Sequence, residues 1–149
     1  IMLFKGKDGY SKFLDNLVVG NFNKAIDNPE TDIDWISHHK ENVKNYLDDP
    51  YCGFPFTIAA LKDLMSLVCL MHNYKLYKNV NNEMKILLLR GKDDPCVGGE
   101  KGALDSKKVL IKAGFTNIKN IDYDNMRHEI LNEVDHEKVY NDALYFFNE

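Results

Sequence analysis

The stretch Ile86-Leu87-Leu88-Leu89-Arg90-Gly91-Lys92-Asp93-Asp94-Pro95 decides the fold of this chain. A short unbroken apolar run predicts a strand buried on both faces of a parallel sheet. The glycine, the paired carboxylates and the proline that follow predict a turn at its carboxyl end. Next, Gly98-Gly99 permits a tight turn into a helix over about residues 101–113, with Gly114 just past its end. Ile118–Tyr123 reads as the next strand, and it runs into Asn125-Met126-Arg127-His128-Glu129, a histidine in a loop. Asp135 can cap a last helix whose Val139, Ala143, Phe146 and Phe147 share a face.

Upstream, Thr57 is a suitable N-cap for a helix running to about Asn73. Its Ile58, Leu61, Met65, Val68 and Met71 fall at spacings of three and four and predict one buried face. From Thr57 the order is therefore helix, strand, helix, strand, helix, which predicts an α/β fold with a parallel sheet. Two strands do not make a stable sheet of this kind. Residues 57–149 thus read as the C-terminal part of a larger doubly wound core. Residues 1–56 are different: polar, aromatic and broken by turn signals at Asp27-Asn28-Pro29-Glu30, Asp48-Asp49-Pro50 and Gly53-Phe54-Pro55. Short helices are expected near Lys12–Val18 and His39–Leu47. This part reads as a mainly helical cap lying over something else.

Composition narrows the classes. A net charge of −4 argues against a nucleic-acid partner, which requires a basic footprint. No apolar run approaches the length of a membrane span. Cys52, Cys69 and Cys96 are odd in number and show no metal spacing, so free thiols, a cytoplasmic setting and no metal or cofactor are expected. The sequence opens Ile1-Met2, so an upstream segment is compatible with it.

In open parallel sheets the functional groups gather at the carboxyl ends of the strands. Asp93 and Asp94 follow the first strand and His128 follows the second. If the strands are neighbours, one carboxylate can accept the Nδ1 proton of the histidine and stabilise its imidazolium, as in a Ser-His-Asp relay. Acid before histidine is also the chain order of α/β-hydrolases. Singly, each feature has a plainer reading: the Asp-Asp-Pro as a capped turn, the histidine as a surface residue. No Gly-x-Ser-x-Gly occurs, and none of Ser11, Ser37, Ser66 and Ser106 falls in a strand-turn-helix elbow. Carboxylates beside Cys96 would raise its pKa, which is wrong for a thiolate nucleophile. Gly98-Gly99 lacks the Lys-Ser/Thr pair of a phosphate loop. His38, His39, His72 and His136 read as structural or exposed.

Ile86–Pro95, the Gly98-Gly99 turn and Arg127-His-Glu-Ile-Leu-Asn-Glu133 together resemble the C-terminal half of the lysophospholipase and monoacylglycerol lipase-like α/β-hydrolases, of the serine aminopeptidase S33 type. Gly20-Asn-Phe-Asn-Lys24, Asp34-Trp-Ile-Ser37 and Asp49–Thr57 resemble segments of that family's cap. The resemblance implies that Asp94 is the acid and His128 the base of a serine ester hydrolase, with Asp93 a bystander. It implies that Glu129 and Asn132 are loop structure, and that the serine and the oxyanion hole lie upstream of Ile1. The substrate would be a lysophospholipid, a monoacylglycerol or a similar ester. Phe22, Trp35 and Phe54 would help to wall the acyl chain, although the same residues can simply hold the cap on the core. The implied partner is the missing N-terminal hydrolase portion or a second copy. The alternative is an inactive, dimeric relative that binds a lipid or a protein.

Overall fold

A computed structural model describes residues 6–148. Helix α1 spans Lys12–Val18 and is capped by the Ser11 hydroxyl, which accepts from the Leu14 amide. Helix α2 spans Lys40–Asp48 and buries Val43. Between them, two single 3-10 turns at Phe22–Ala25 and Asp34–Ile36 pack on each other. Helix α3, Ile58–His72, starts where expected: the Thr57 hydroxyl accepts from the Ala60 amide at 3.1 Å. Strand β1 is Ile86–Gly91, helix α4 is Gly99–Ala113, strand β2 is Ile118–Tyr123 and helix α5 is His136–Asn148.

The two strands pair in parallel, with Ile86 opposite Ile118 and Gly91 opposite Tyr123. Their carboxyl ends are therefore level, so the Asp turn and the His loop leave the sheet side by side. Arg90 and Asp122 are also opposite each other, and the guanidinium grips the carboxylate with two hydrogen bonds of 2.9 and 2.7 Å. Behind this edge lies a core of Tyr123, Met126 and Val139, with Leu89, Ile121 and Ile130 packed against it. The Tyr123 hydroxyl donates to Asp142 at 3.0 Å and ties α5 to the sheet.

Gly91 has no room for a side chain. A Cβ there would overlap the carbonyl oxygens of Met126 and Arg127, because the His loop crosses directly over the end of β1. The crossing is stitched by the Lys92 amide donating to the Tyr123 carbonyl at 2.9 Å and the Asp93 amide to the Met126 carbonyl at 3.0 Å. Asn125 turns the loop with a left-handed φ of 55°, a conformation that Asn tolerates well. Gly91→Ala is expected to cost on the order of 3 kcal/mol, because backbone and not a flexible side chain must yield. Urea unfolding would measure it. A loss below about 0.5 kcal/mol would show that the crossing is looser than described.

Three expectations about packing are corrected. The apolar face of α3 is buried only at Ile58 and Leu61; Met65, Val68 and Met71 are exposed. Strand β1 is half-buried along Ile86–Arg90 and not sealed on both faces. Phe147 is 77% exposed, while Val139 and Phe146 of the same helix are buried. The physical reason is shared. Sequence periodicity reports the faces that a residue pattern is suited to bury, and among the described residues nothing covers these.

Candidate active site

Asp94 leaves β1 on the turn that Gly91 makes possible. Its backbone is extended, and its side chain caps the 3-10 turn Pro95–Val97, with Oδ1 accepting from the Cys96 amide at 2.8 Å. One carboxylate oxygen is thus fixed by backbone. The other, Oδ2, faces His128 Nδ1 at 3.0 Å. The Asp94 side chain is 5% exposed and that of His128 is 42% exposed. An ionised carboxylate only accepts, so the contact places the proton on Nδ1 and leaves Nε2 as the basic nitrogen. Among the described residues, Nε2 has no hydrogen-bond partner.

The hydrogen bond that Asp94 accepts holds the His128 imidazole above its usual pKa; burial opposes this, and the charges of Asp94 and Glu129 add to it. The sign follows directly. The stabilisation that His128 gives the fold is fully present below the unfolded pKa of about 6.5 and fades as pH rises through the raised folded value. Were His128 to act as a general base it would work when neutral, so any activity it supports should rise with pH above the ordinary histidine range. An NMR titration of the His128 ring at or below an ordinary histidine pKa would contradict the pairing.

The residues flanking His128 are tied to the cap. The Glu129 amide donates to the Ile36 carbonyl at 2.8 Å, and the Arg127 guanidinium donates to the carbonyls of Asp34 (2.6 Å) and Ser37 (3.2 Å). Glu133, 1% exposed, gathers the same pieces. Its carboxylate accepts from the Arg127 amide (2.7 Å), the His38 amide (3.0 Å), the His39 amide (3.2 Å) and the Ser37 hydroxyl (2.9 Å). Asp34 anchors the other end of the turn. Burial would raise its pKa, but the Thr31 hydroxyl, the amides of Glu30 and Thr31, and the charge of Arg127 bring it below the usual value.

Of the residues singled out in the sequence, Asp94 and His128 are brought together. Trp35 packs on His128 with ring centroids 5.0 Å apart, and Phe22 packs on Trp35 at 5.0 Å, so both stand beside the histidine. Phe54 is 65% exposed and has no ring contact with that stack among the described residues. An apolar groove of about 590 Å³ runs between α1 and α3 past Leu14, Leu17, Ile58 and Met65, and none of the three aromatics lines it. Asp93 does not touch His128; its Oδ2 pairs with His38 Nε2 at 2.9 Å. Glu129 and Asn132 serve the loop, with Glu129 accepting from Asn42 and from Asn132. The Cys96 thiol pKa is raised as expected, although burial contributes more than Asp94 does.

Sequence reasoning missed Glu133, Arg127 and His38 as parts of the site. The first two stand in the quoted Arg127–Glu133 run but share no periodicity with it. A glutamate that becomes fully buried in a loop leaves no pattern. Only the pairing of that loop with Ser37–His39, far away in sequence, exposes its role.

Residues 7–135 match the profile of the family described as serine aminopeptidase, S33. No curated protein matches by sequence. Among solved structures, the chain is similar to a highly thermostable carboxyl esterase from Bacillus coagulans, solved in complex with glycerol, at 25% identity and a TM-score of 0.84; the match covers 99% of this chain and 48% of that one. It also superposes on a lipase in its open form at 23% identity and a TM-score of 0.80, covering 99% and 48%. A monoacylglycerol lipase from Paleococcus ferrophilus matches at 18% identity and a TM-score of 0.53, covering 90% and 50%. The chain therefore spans about half the length of these structures. No described helix is long and apolar enough to cross a membrane.

Proposed function

The chain belongs to the serine aminopeptidase S33 family of α/β-hydrolases, and from that membership we propose that it carries the acid and base of a serine ester hydrolase. Asp94 is the acid and His128 the base. The observation behind this reading is the 3.0 Å contact between Asp94 Oδ2 and His128 Nδ1 at the carboxyl edge of a parallel sheet, with Nε2 left open.

A serine hydroxyl attacks the acyl carbon of the ester while His128 Nε2 takes its proton. Asp94 holds the imidazolium that results. Nε2 then returns the proton to the leaving alcohol, and a water repeats the sequence on the acyl-enzyme. The serine and the oxyanion-hole donors come from polypeptide beyond these residues. Ser11 caps α1, Ser37 is bound to Glu133, and Ser66 and Ser106 donate to carbonyls of their own helices, so each has a structural use of its own. The exposed part of the α3 apolar stripe, Met65, Val68 and Met71, is suited to packing against that polypeptide. Residues 1–56 act as the cap and residues 57–149 as the C-terminal part of the core. The stack of Phe22 and Trp35 beside His128 offers an apolar wall for the acyl group, and a lipid ester such as a monoacylglycerol or lysophospholipid suits it.

The test is activity profiling of the intact gene product. A fluorophosphonate probe is applied, then chromogenic esters of graded acyl length and an aminoacyl anilide. Ester turnover with the probe on a serine outside this chain is expected, and His128→Ala should abolish both. Labelling of Ser11, Ser37, Ser66 or Ser106, or a preference for the anilide, would overturn the assignment.

A further inference from the structure

Beside the acid and base stands a third group that the proposed reaction does not use. Asp94, Cys96 and His128 each offer one ligand atom, and these atoms all lie within 4.8 Å of one another. We propose that the three side chains form a binding site for a thiophilic divalent cation of the Zn²⁺ class, which takes the acid–base pair out of use while it is bound.

The geometry is close to what such an ion requires. With bonds of about 2.0–2.3 Å in a tetrahedral shell, neighbouring ligand atoms stand roughly 3.3–3.8 Å apart. The carboxylate and imidazole, 3.0 Å apart in their hydrogen bond, need to part by only a few tenths of an ångström. Cys96 sits two residues from Asp94 on the 3-10 turn that Asp94 caps, and its sulfur lies within 4.8 Å of the other two ligand atoms. The support beneath is rigid: the Glu133 carboxylate fixes the His loop through the Arg127 amide, and the Asp turn is stitched to it under Gly91. A thiolate, an imidazole and one carboxylate form a mixed soft and borderline donor set, which selects Zn²⁺ over Mg²⁺ or Ca²⁺. Cys96 is on the exposed side, so a fourth position stays open to water.

The proton balance explains the effect on the relay. Binding releases the Cys96 thiol proton to solvent, and the His128 proton leaves Nδ1 for Nε2 as Nδ1 takes the metal. A protonated Nε2 cannot accept a proton from a serine, so the loaded site is idle. Metal binding stands on the geometry alone; only its effect on turnover rests on the hydrolase reading.

The experiment is a Co²⁺ titration of the reduced, intact gene product, followed by absorption. A thiolate-to-cobalt charge-transfer band is expected, lost on adding Zn²⁺. It should persist in the Cys52→Ser/Cys69→Ser variant and vanish in Cys96→Ser. His128→Gln should weaken binding by at least the roughly tenfold that losing even an outer-shell partner costs. No band in the wild-type chain, or a band that survives Cys96→Ser, overturns the site. In the intact gene product, Zn²⁺ should inhibit ester turnover, a chelator should reverse this, and Cys96→Ser should be resistant. A band without inhibition of an active enzyme overturns the switch. A band with no ester turnover under any condition leaves the metal site standing and sinks the hydrolase reading instead.

Discussion

Asp94→Asn is expected to lower ester turnover by the complete hydrolase by about 10⁴-fold, the scale seen when a relay loses its acid with the geometry kept. The reason is local. Asp94 Oδ1 is claimed by the Cys96 amide, so the oxygen of the new side chain must stay there. The amide NH₂ then falls where Oδ2 was, facing His128 Nδ1. Two donors cannot share that contact, so Nδ1 must become the acceptor and the ring proton moves to Nε2. The base is then in the wrong tautomer to receive a proton. The His128 pKa should fall in the same variant, because its largest upward influence is the Asp94 hydrogen bond. Asp93→Asn provides the control: the Asp93 carboxylate pairs with His38 and should change turnover little when neutralised. If the Asp93 variant is the inactive one, the acid has been misassigned.

Glu133→Ala should be the most damaging change to the fold. It leaves the amides of Arg127, His38 and His39 and the Ser37 hydroxyl without the acceptor that joins them. Leaving several buried donors unpaired costs on the order of 3–5 kcal/mol. Glu133→Gln separates shape from hydrogen bonding. Either placement of its NH₂ sets a donor against a donor, since both carboxylate oxygens accept amide protons, so it should recover only part of the loss. Denaturant unfolding gives the stability, and the His128 titration reports whether the base still meets Asp94. A Gln variant as stable as the wild type would mean that the buried carboxylate matters only for its size.

What could be read beforehand follows from how local each signal was. The strands at Ile86 and Ile118, the Thr57 cap and the Gly114 stop depend on neighbours a few residues away, and their positions were legible. The approach of Asp94 to His128 was legible too, because it needs only two adjacent parallel strands of equal length. Burial was less so, since α3 and β1 carry patterns suited to partners that do not lie among the described residues. The union of Glu133 with Ser37–His39 was invisible. It spans more than ninety residues and rests on amide groups that every residue possesses.

The ring of Trp35 rests on His128, and on either side of that histidine the Glu129 amide and the Arg127 guanidinium donate to the segment carrying Trp35. On the proposed reading, selectivity and reactivity are then built on one piece of backbone. A chimera that imports a relative's lid over residues 34–39 to change its ester preference also replaces the scaffold under the base. Lid exchange in this protein will not be modular: a graft has to bring its own partners for Arg127 and Glu133, or the new specificity will arrive in a slower enzyme.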